Sequence, residues 1–341
     1  LAAQFLALGY VIEIAVGIDS LLLAMSLGAV VVLFYSLAGG MLASVYTDVL
    51  QGGLMAGVGV AVFYEALSVS GGLPNALDAI ARSNAFAQSF QDPLGSMPAV
   101  TAFGTFFVFS VGVLGQPHML HKFYMIDEVE KLRFFPVVVG AVQSLCLLLW
   151  LGIGLAVPSL VAQGTLEPLT APDRATPVFL TMFASPMVAG FAFAAVLAAV
   201  MSTADSFLNI AAAAVVRDLP KAFGAVSSEP ALAHELIRGR IAVALVAAVA
   251  LAIGYSYGNL VALLGTFAFG TFAAALTPCL AIGFHWSGVT ARAAIASIAT
   301  GLLTTIGLEL WAESHATEIL PAAVGLAASF TVLLAVSWID S

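Results

Sequence analysis

The chain has 341 residues, 62% of them hydrophobic and 9% charged, with a formal net charge of −9. Soluble domains carry roughly 25% charge, so a water-soluble globule is excluded, and the acidic balance argues against a nucleic-acid partner. Strand-like alternation of apolar and polar residues is absent, which sets a β-barrel aside.

Apolar runs of about 20 residues, the length a helix needs to cross a bilayer core, recur along the chain. They predict an all-α integral membrane protein with about ten transmembrane helices forming one membrane domain over 1–341. The spans are placed at about 1–18, 21–38, 49–68, 100–115, 135–157, 187–216, 240–256, 259–284, 290–311 and 319–338. The first run opens at Leu1 without an initiator Met, so the chain is read as a fragment whose earlier helices are missing, and no signal peptide is legible.

The stretch YSLAGGMLASVYTDVLQ (35–51) joins the second and third spans. Gly39-Gly40 is expected to end one helix, Thr47 to cap the next, and Asp48 to sit in its first turn, where negative charge suits the helix dipole. Asp48 is then either an N-terminal cap or a carboxylate at the inner mouth of a cation path. Gly53 and Gly57 form a G-x-x-x-G, read as close helix packing. Residues 69–99, with Gly71-Gly72, Pro74, Pro93 and Pro98, read as a long connection. In FSVGVLGQPHMLHKF (109–123), Pro117 follows Gly115-Gln116, so the helix must break or kink there. Irregular backbone at membrane depth is tolerated only against protein or a water-filled cavity. His118 and His121 have i, i+3 ligand spacing but no third ligand nearby, and are read as interfacial histidines. Residues 158–186 form a second long connection with five prolines and a short apolar patch at 178–183, read as a surface helix.

Residues 191–210, FAFAAVLAAVMSTADSFLNI, put the greatest density of oxygen into an apolar span. A polar cluster inside a membrane helix is a functional hypothesis by default. Ala199, Ser202 and Thr203 are spaced i, i+3, i+4 and share one face. Two hydroxyls and an exposed Ala199 carbonyl could supply about half the oxygen shell of a hard cation such as Na⁺. The alternative is that both hydroxyls bond back to carbonyls one turn earlier. Asp205 pairs either with a basic loop residue or with water in an inner cavity.

Eight of the ten basic residues (Lys122, Lys131, Arg133, Arg217, Lys221, Arg238, Arg240 and Arg292) fall in one alternating set of loops, which is therefore expected to face the cytoplasm. The two cysteines, in separate apolar spans, read as buried thiols. The chain lacks a Walker A sequence and H-E-x-x-H, a C-x-x-C-H haem motif and a TVGYG filter.

YSLAGGMLASVYTDVLQ, GQPHMLHKF and AAVLAAVMSTADSFLN, in that order, resemble the sodium:solute symporter family, most closely its sodium/proline branch. FHWSGVTARAAIASIATG (284–301) is similar to that family's late loop and helix. The resemblance implies an inverted-repeat transporter fold of the LeuT type, with substrate and ion near the midplane at broken helices. The spans beginning at 1, 21 and 49 would be core helices three to five. Those at 100, 135, 187, 240 and 259 would be six to ten, the last two being extras, with the leading helix and core helices one and two missing. The Ala199 carbonyl and the Ser202 and Thr203 hydroxyls match the family's sodium ligands on the eighth core helix. Asp48 matches its carboxylate on the inner ion path, where Asp205 is also placed. Phe109, Val113, Gln116 and Pro117 fall at its substrate contacts, with Phe109 and Val113 standing where proline carriers have Trp and Tyr.

The implied function is Na⁺-coupled symport of a small organic solute, proline-like or another amino acid or an organic acid, by alternating access. Na⁺ is the coupling ion, with no organic cofactor, no covalent chemistry and no obligatory protein partner, in a multi-pass protein of the plasma (inner) membrane. Two alternatives stay open: a membrane sensor domain of a signalling protein, and a proton-coupled symporter using Asp48 or Asp205.

Overall fold

The computed structural model describes residues 1–95, 97–224, 232–257, 261–312 and 319–340, and of residues 39–43, 232–235, 257 and 262–263 it describes the backbone alone. All regular structure among them is helical: α1 (Ala2–Val16), α2 (Leu21–Val69), α3 (Leu73–Arg82), α4 (Ala87–Gln91), α5 (Ala99–Val111), α6 (Pro117–Phe123), α7 (Phe135–Ala162), α8 (Ala175–Met182), α9 (Pro186–Ala213), α10 (Leu219–Ala222), α11 (Leu232–Tyr257), α12 (Val261–Gly283), α13 (Ala291–Ala312) and α14 (Pro321–Asp340). Short 3₁₀ turns cover Gly112–Gly115, Val129–Phe134 and Pro172–Arg174, and a π-helical turn covers Ala214–Asp218.

Eight segments are long and apolar enough to cross a membrane, and a ninth is counted if the bent pair Ala99–Gly115 and Pro117–Phe123, inclined by 44°, is one span. The ten expected spans are therefore eight or nine among the described residues. The shortfall lies at the N-terminus, where α1 has 15 residues, fewer than the roughly 20 that span a bilayer core.

Gly39-Gly40 does not end a helix. α2 runs unbroken for 49 residues, about 74 Å at 1.5 Å per residue, and carries two apolar segments, Leu21–Ala38 and Ser44–Val69. Each glycine costs helix stability, about 1 kcal/mol relative to Ala. The helix continues through both, keeping their backbone groups in its hydrogen-bond ladder. Thr47 accordingly donates to the Ser44 carbonyl at 2.8 Å instead of capping, and Asp48 lies in the helix interior.

The chain divides into two compact units, one comprising Leu1–Phe90 with Glu128–Val261 and the other Gln91–Asp127 with Ala262–Ser341. In the first unit, one apolar cluster joins the second half of α2 (Val58, Val62, Ala66), α7 (Leu149, Ile153, Ala156, Leu160), Phe179 and Leu180 of α8, and the start of α9 (Ala192, Ala195). A second joins α1 (Phe5, Leu6, Leu8), the first half of α2 (Met25, Ala29, Val32), the end of α9 (Ala204, Leu208, Ala212) and α11 (Ala242, Val243, Ala247, Ala250). α9 belongs to both clusters, and its oxygen-bearing segment lies where one gives way to the other.

Small residues set the closest approaches, but not where the G-x-x-x-G predicted them. A Cβ at Gly152 of α7 would lie 2.9 Å from the Phe63 Cα of α2, whereas nothing lies within 4 Å of one at Gly53 or Gly57. Those two glycines instead line an open groove with Met187, Val188 and Phe191.

In the second unit, Val108, Ala273, Ala274, Ala322 and Leu326 form the core. α13 and α14 are joined by a serine pair, Ser297 and Ser329. Their hydroxyl oxygens are 2.8 Å apart, and each hydroxyl also reaches the other residue's carbonyl, at 3.0 and 2.9 Å. Cys146 and Cys279 are free and half-buried, not fully buried as expected.

Candidate functional site

α9 is fixed at its start by an acid from α2: the Glu65 carboxylate accepts the Ser185 amide at 2.8 Å, at the residue preceding Pro186. A carboxylate there also meets the positive end of the helix dipole. Four turns further on, the Ser202 hydroxyl donates to the Ala199 carbonyl at 3.0 Å and the Thr203 hydroxyl to the same carbonyl at 3.2 Å. Three oxygens thus converge on one point of an otherwise regular helix. This is the back-bonded arrangement, each hydroxyl donating its proton to the carbonyl one turn earlier and keeping its lone pairs. All three atoms are hard oxygen donors, the chemistry that suits Na⁺.

This turn is bonded to α2 twice. The Tyr35 hydroxyl donates to the Met201 carbonyl at 2.8 Å, and the Ser36 hydroxyl donates to the Asp205 carboxylate. Asn209, one turn on, donates to the same Asp205 oxygen at 3.1 Å. Asp205 is 1% exposed, and the hydroxyl and amide donors stabilise it as a buried acceptor. Ser206 is as fully enclosed, and its hydroxyl has no hydrogen-bond partner among the described residues. Asp48 is half-buried on α2, and the Tyr35 ring lies within electrostatic range of both Asp48 and Asp205.

The other expected residues belong to the second unit. The helix does break at Pro117. Residues 112–115 tighten to a 3₁₀ turn, Gln116 is extended (φ −84°, ψ 107°), and Pro117 opens α6. In an unbroken helix the Gly112 carbonyl would accept the Gln116 backbone amide. Here that amide goes to Val113 at 3.2 Å, and the Gln116 side-chain amide takes its place, donating to the Gly112 carbonyl at 3.2 Å and to the Phe269 carbonyl at 3.0 Å. Gln116 is 1% exposed, so its NH₂ group repairs the break. Phe109 stacks on Phe269 with ring centroids 4.6 Å apart. Phe109 and Val113 remain exposed within their unit, and Pro117 is half-buried.

His121 Nδ1 lies 3.3 Å from the Pro117 carbonyl. No group of three or more His, Cys, Asp or Glu side chains suited to a metal occurs among the described residues. Tyr35, Ser36, Glu65 and Asn209 bond to α9 or to Asp205 beside the expected residues, and sequence reasoning did not single them out. Asn209 was findable, being four residues from Asp205 on one helix face. Glu65 was visible as an acid in an apolar span. Tyr35 and Ser36 stand in a quoted motif, but nothing local links them to α9.

These observations define a class, a multi-pass helical integral membrane protein, and its likeness to known symporters adds the LeuT-type fold and a place in the plasma membrane. The chain aligns over its whole length, and over 74% of the other chain, with a Na⁺-coupled sialic acid symporter solved in a substrate-bound outward-open state, at a TM-score of 0.72 and 16% identity. Residues 1–301 match the sodium:solute symporter family, and the chain belongs to it. It is 28% identical over 294 residues to sodium/proline symporter 2 of Staphylococcus saprophyticus, covering 83% of this chain and 54% of that protein. It is also 28% identical over 328 residues to the sodium/proline symporter of Staphylococcus aureus strain bovine RF122, covering 92% and 61%. The chain therefore spans little more than half the length of these relatives.

Proposed function

We propose that this chain carries part of the machinery of a Na⁺-coupled symporter, which moves a small organic solute uphill by alternating access without a covalent step. The observation that carries the reading is the convergence of the Ser202 and Thr203 hydroxyls on the Ala199 carbonyl, at 3.0 and 3.2 Å, on a helix bonded to α2 on either side of them. Na⁺ is cargo here. The Ser202 and Thr203 oxygens, which keep lone pairs, supply part of its shell, the Ala199 carbonyl joins them once the hydroxyl protons turn away from it, and other groups complete it. Asp48 and Asp205 line the inner ion path. One Na⁺ moving inward is worth about 2.3 kcal/mol per 100 mV, plus its concentration gradient.

Phe109, Val113, Gln116 and Pro117 are proposed to shape the solute subsite, with Phe109 and Val113 supplying apolar surface and Gln116 and Pro117 holding the helix break that presents it. Kinship with sodium/proline symporters supports an amino acid, proline-like, or an organic acid. The test is uptake by the full chain in proteoliposomes, screened over amino acids, monocarboxylates and sugars with an inward Na⁺ gradient. Solute accumulation that needs Na⁺ supports the proposal, and accumulation that persists with choline in its place overturns it. The enclosed Asp205 carboxylate favours proton coupling as the second reading, and that choline result at a fixed proton gradient is its signature.

A further inference from the structure

We infer that Tyr35 and Ser36 are positioning residues for the cation-binding turn of α9, setting where the Ser202 and Thr203 oxygens stand; this rests on the cation-site reading above. Neighbouring residues on a helix point about 100° apart, so they rarely serve one target. Here both reach the same turn of α9. The long Tyr35 side chain bonds the Met201 carbonyl, and the short Ser36 side chain bonds the Asp205 carboxylate. Met201 and Asp205 bracket the two oxygen-bearing residues, one position before Ser202 and two after Thr203.

The two contacts differ in kind. Tyr35 holds backbone and Ser36 holds a side chain that Asn209 also holds, so displacement of this turn against α2 strains both. The surroundings allow no easy relaxation, since Val32 on α2 and Ala204 and Leu208 on α9 are fully buried. Cation affinity depends on oxygen placement within about 0.5 Å. Among the described residues the hydroxyls of Ser202 and Thr203 bond only within α9, so the helix must be placed by something else. The Tyr35–Ser36 pair does this at the turn itself, and Glu65 does it at the helix start.

The test is radioactive Na⁺ binding to the purified full chain, displaced by unlabelled Na⁺, with the number of sites per protein measured alongside the affinity. Tyr35→Phe and Ser36→Ala should each raise the Na⁺ concentration for half-displacement about five-fold, the weight of one intramolecular hydrogen bond, with the number of sites unchanged. Ser36→Thr, which restores a hydroxyl, should return within two-fold of the parent. Ser26→Ala removes an α2 hydroxyl bonded to the Leu22 carbonyl of its own helix and should leave affinity unaltered. Ser202→Ala separates the two claims. If it weakens Na⁺ while Tyr35→Phe and Ser36→Ala do not, the positioning role is wrong. If Ser202→Ala leaves Na⁺ binding intact, the site reading falls and the inference falls with it. A loss of sites at unchanged affinity in the α2 variants would mark them as folding residues and also overturn the inference.

Discussion

The oxygen cluster of α9 and the break at Gln116 are both polar insertions into apolar helices, yet they do opposite things. In α9 the backbone stays helical and the added hydroxyls turn onto a carbonyl that already has its place in the helix. Their donors are occupied and their acceptor capacity is left over. At Gln116 the backbone itself is interrupted, and the side-chain amide is used up in satisfying the carbonyls of Gly112 and Phe269. The first arrangement offers oxygen to a ligand, and the second closes a gap the chain made in itself. Polarity at membrane depth therefore does not by itself mark a ligand contact. What counts is whether acceptor capacity remains after the helix is satisfied.

That contrast is open to attack in order of effect. Gln116→Leu should be the most damaging change, because the buried Gly112 carbonyl and the half-buried Phe269 carbonyl each lose a donor. About 2–4 kcal/mol of stability should disappear, read as a lowered melting temperature in detergent. A stable variant with altered solute selectivity would instead return Gln116 to the role of a direct solute contact. Gly152→Ala should cost about 1–3 kcal/mol by overpacking, since its Cβ would press on the Phe63 Cα at 2.9 Å. Ser202→Ala should behave in the opposite way to Gln116→Leu. The Na⁺ requirement for uptake should rise about ten-fold, a change of about 1.4 kcal/mol, while the melting temperature holds. Ser329→Ala removes the hydroxyl that meets Ser297 and should cost roughly 0.6 kcal/mol, typical of such bonds between membrane helices. The smallest effect is expected for Gly53→Ala, within about 0.5 kcal/mol, because nothing lies near its added methyl. A large loss there would show that the groove beside Met187 and Phe191 is filled by a close neighbour.

Much of this was legible from residue order. Hydropathy placed the spans because each helix must cover the same apolar thickness. Pro117 marked the break because proline cannot donate to the helix ladder. Helical spacing put Ala199, Ser202 and Thr203 on one face. These are properties of a single segment, decided by bonds within a turn or by transfer from water to lipid. The continuity of α2 through Gly39-Gly40 was not legible. Propensity argues for a stop there, and helix propensity is a weak prior that the rest of the structure overrides. Nor were the Tyr35–Met201 and Ser36–Asp205 contacts, which join residues 166 and 169 positions apart. No periodicity encodes such partners. The sequence by itself determined which helices form and which oxygens share a face, since those follow from local geometry and hydrophobicity. Only the tertiary structure decided which polar groups are taken up by the protein and which keep a lone pair for something else, because that depends on which helix packs against which.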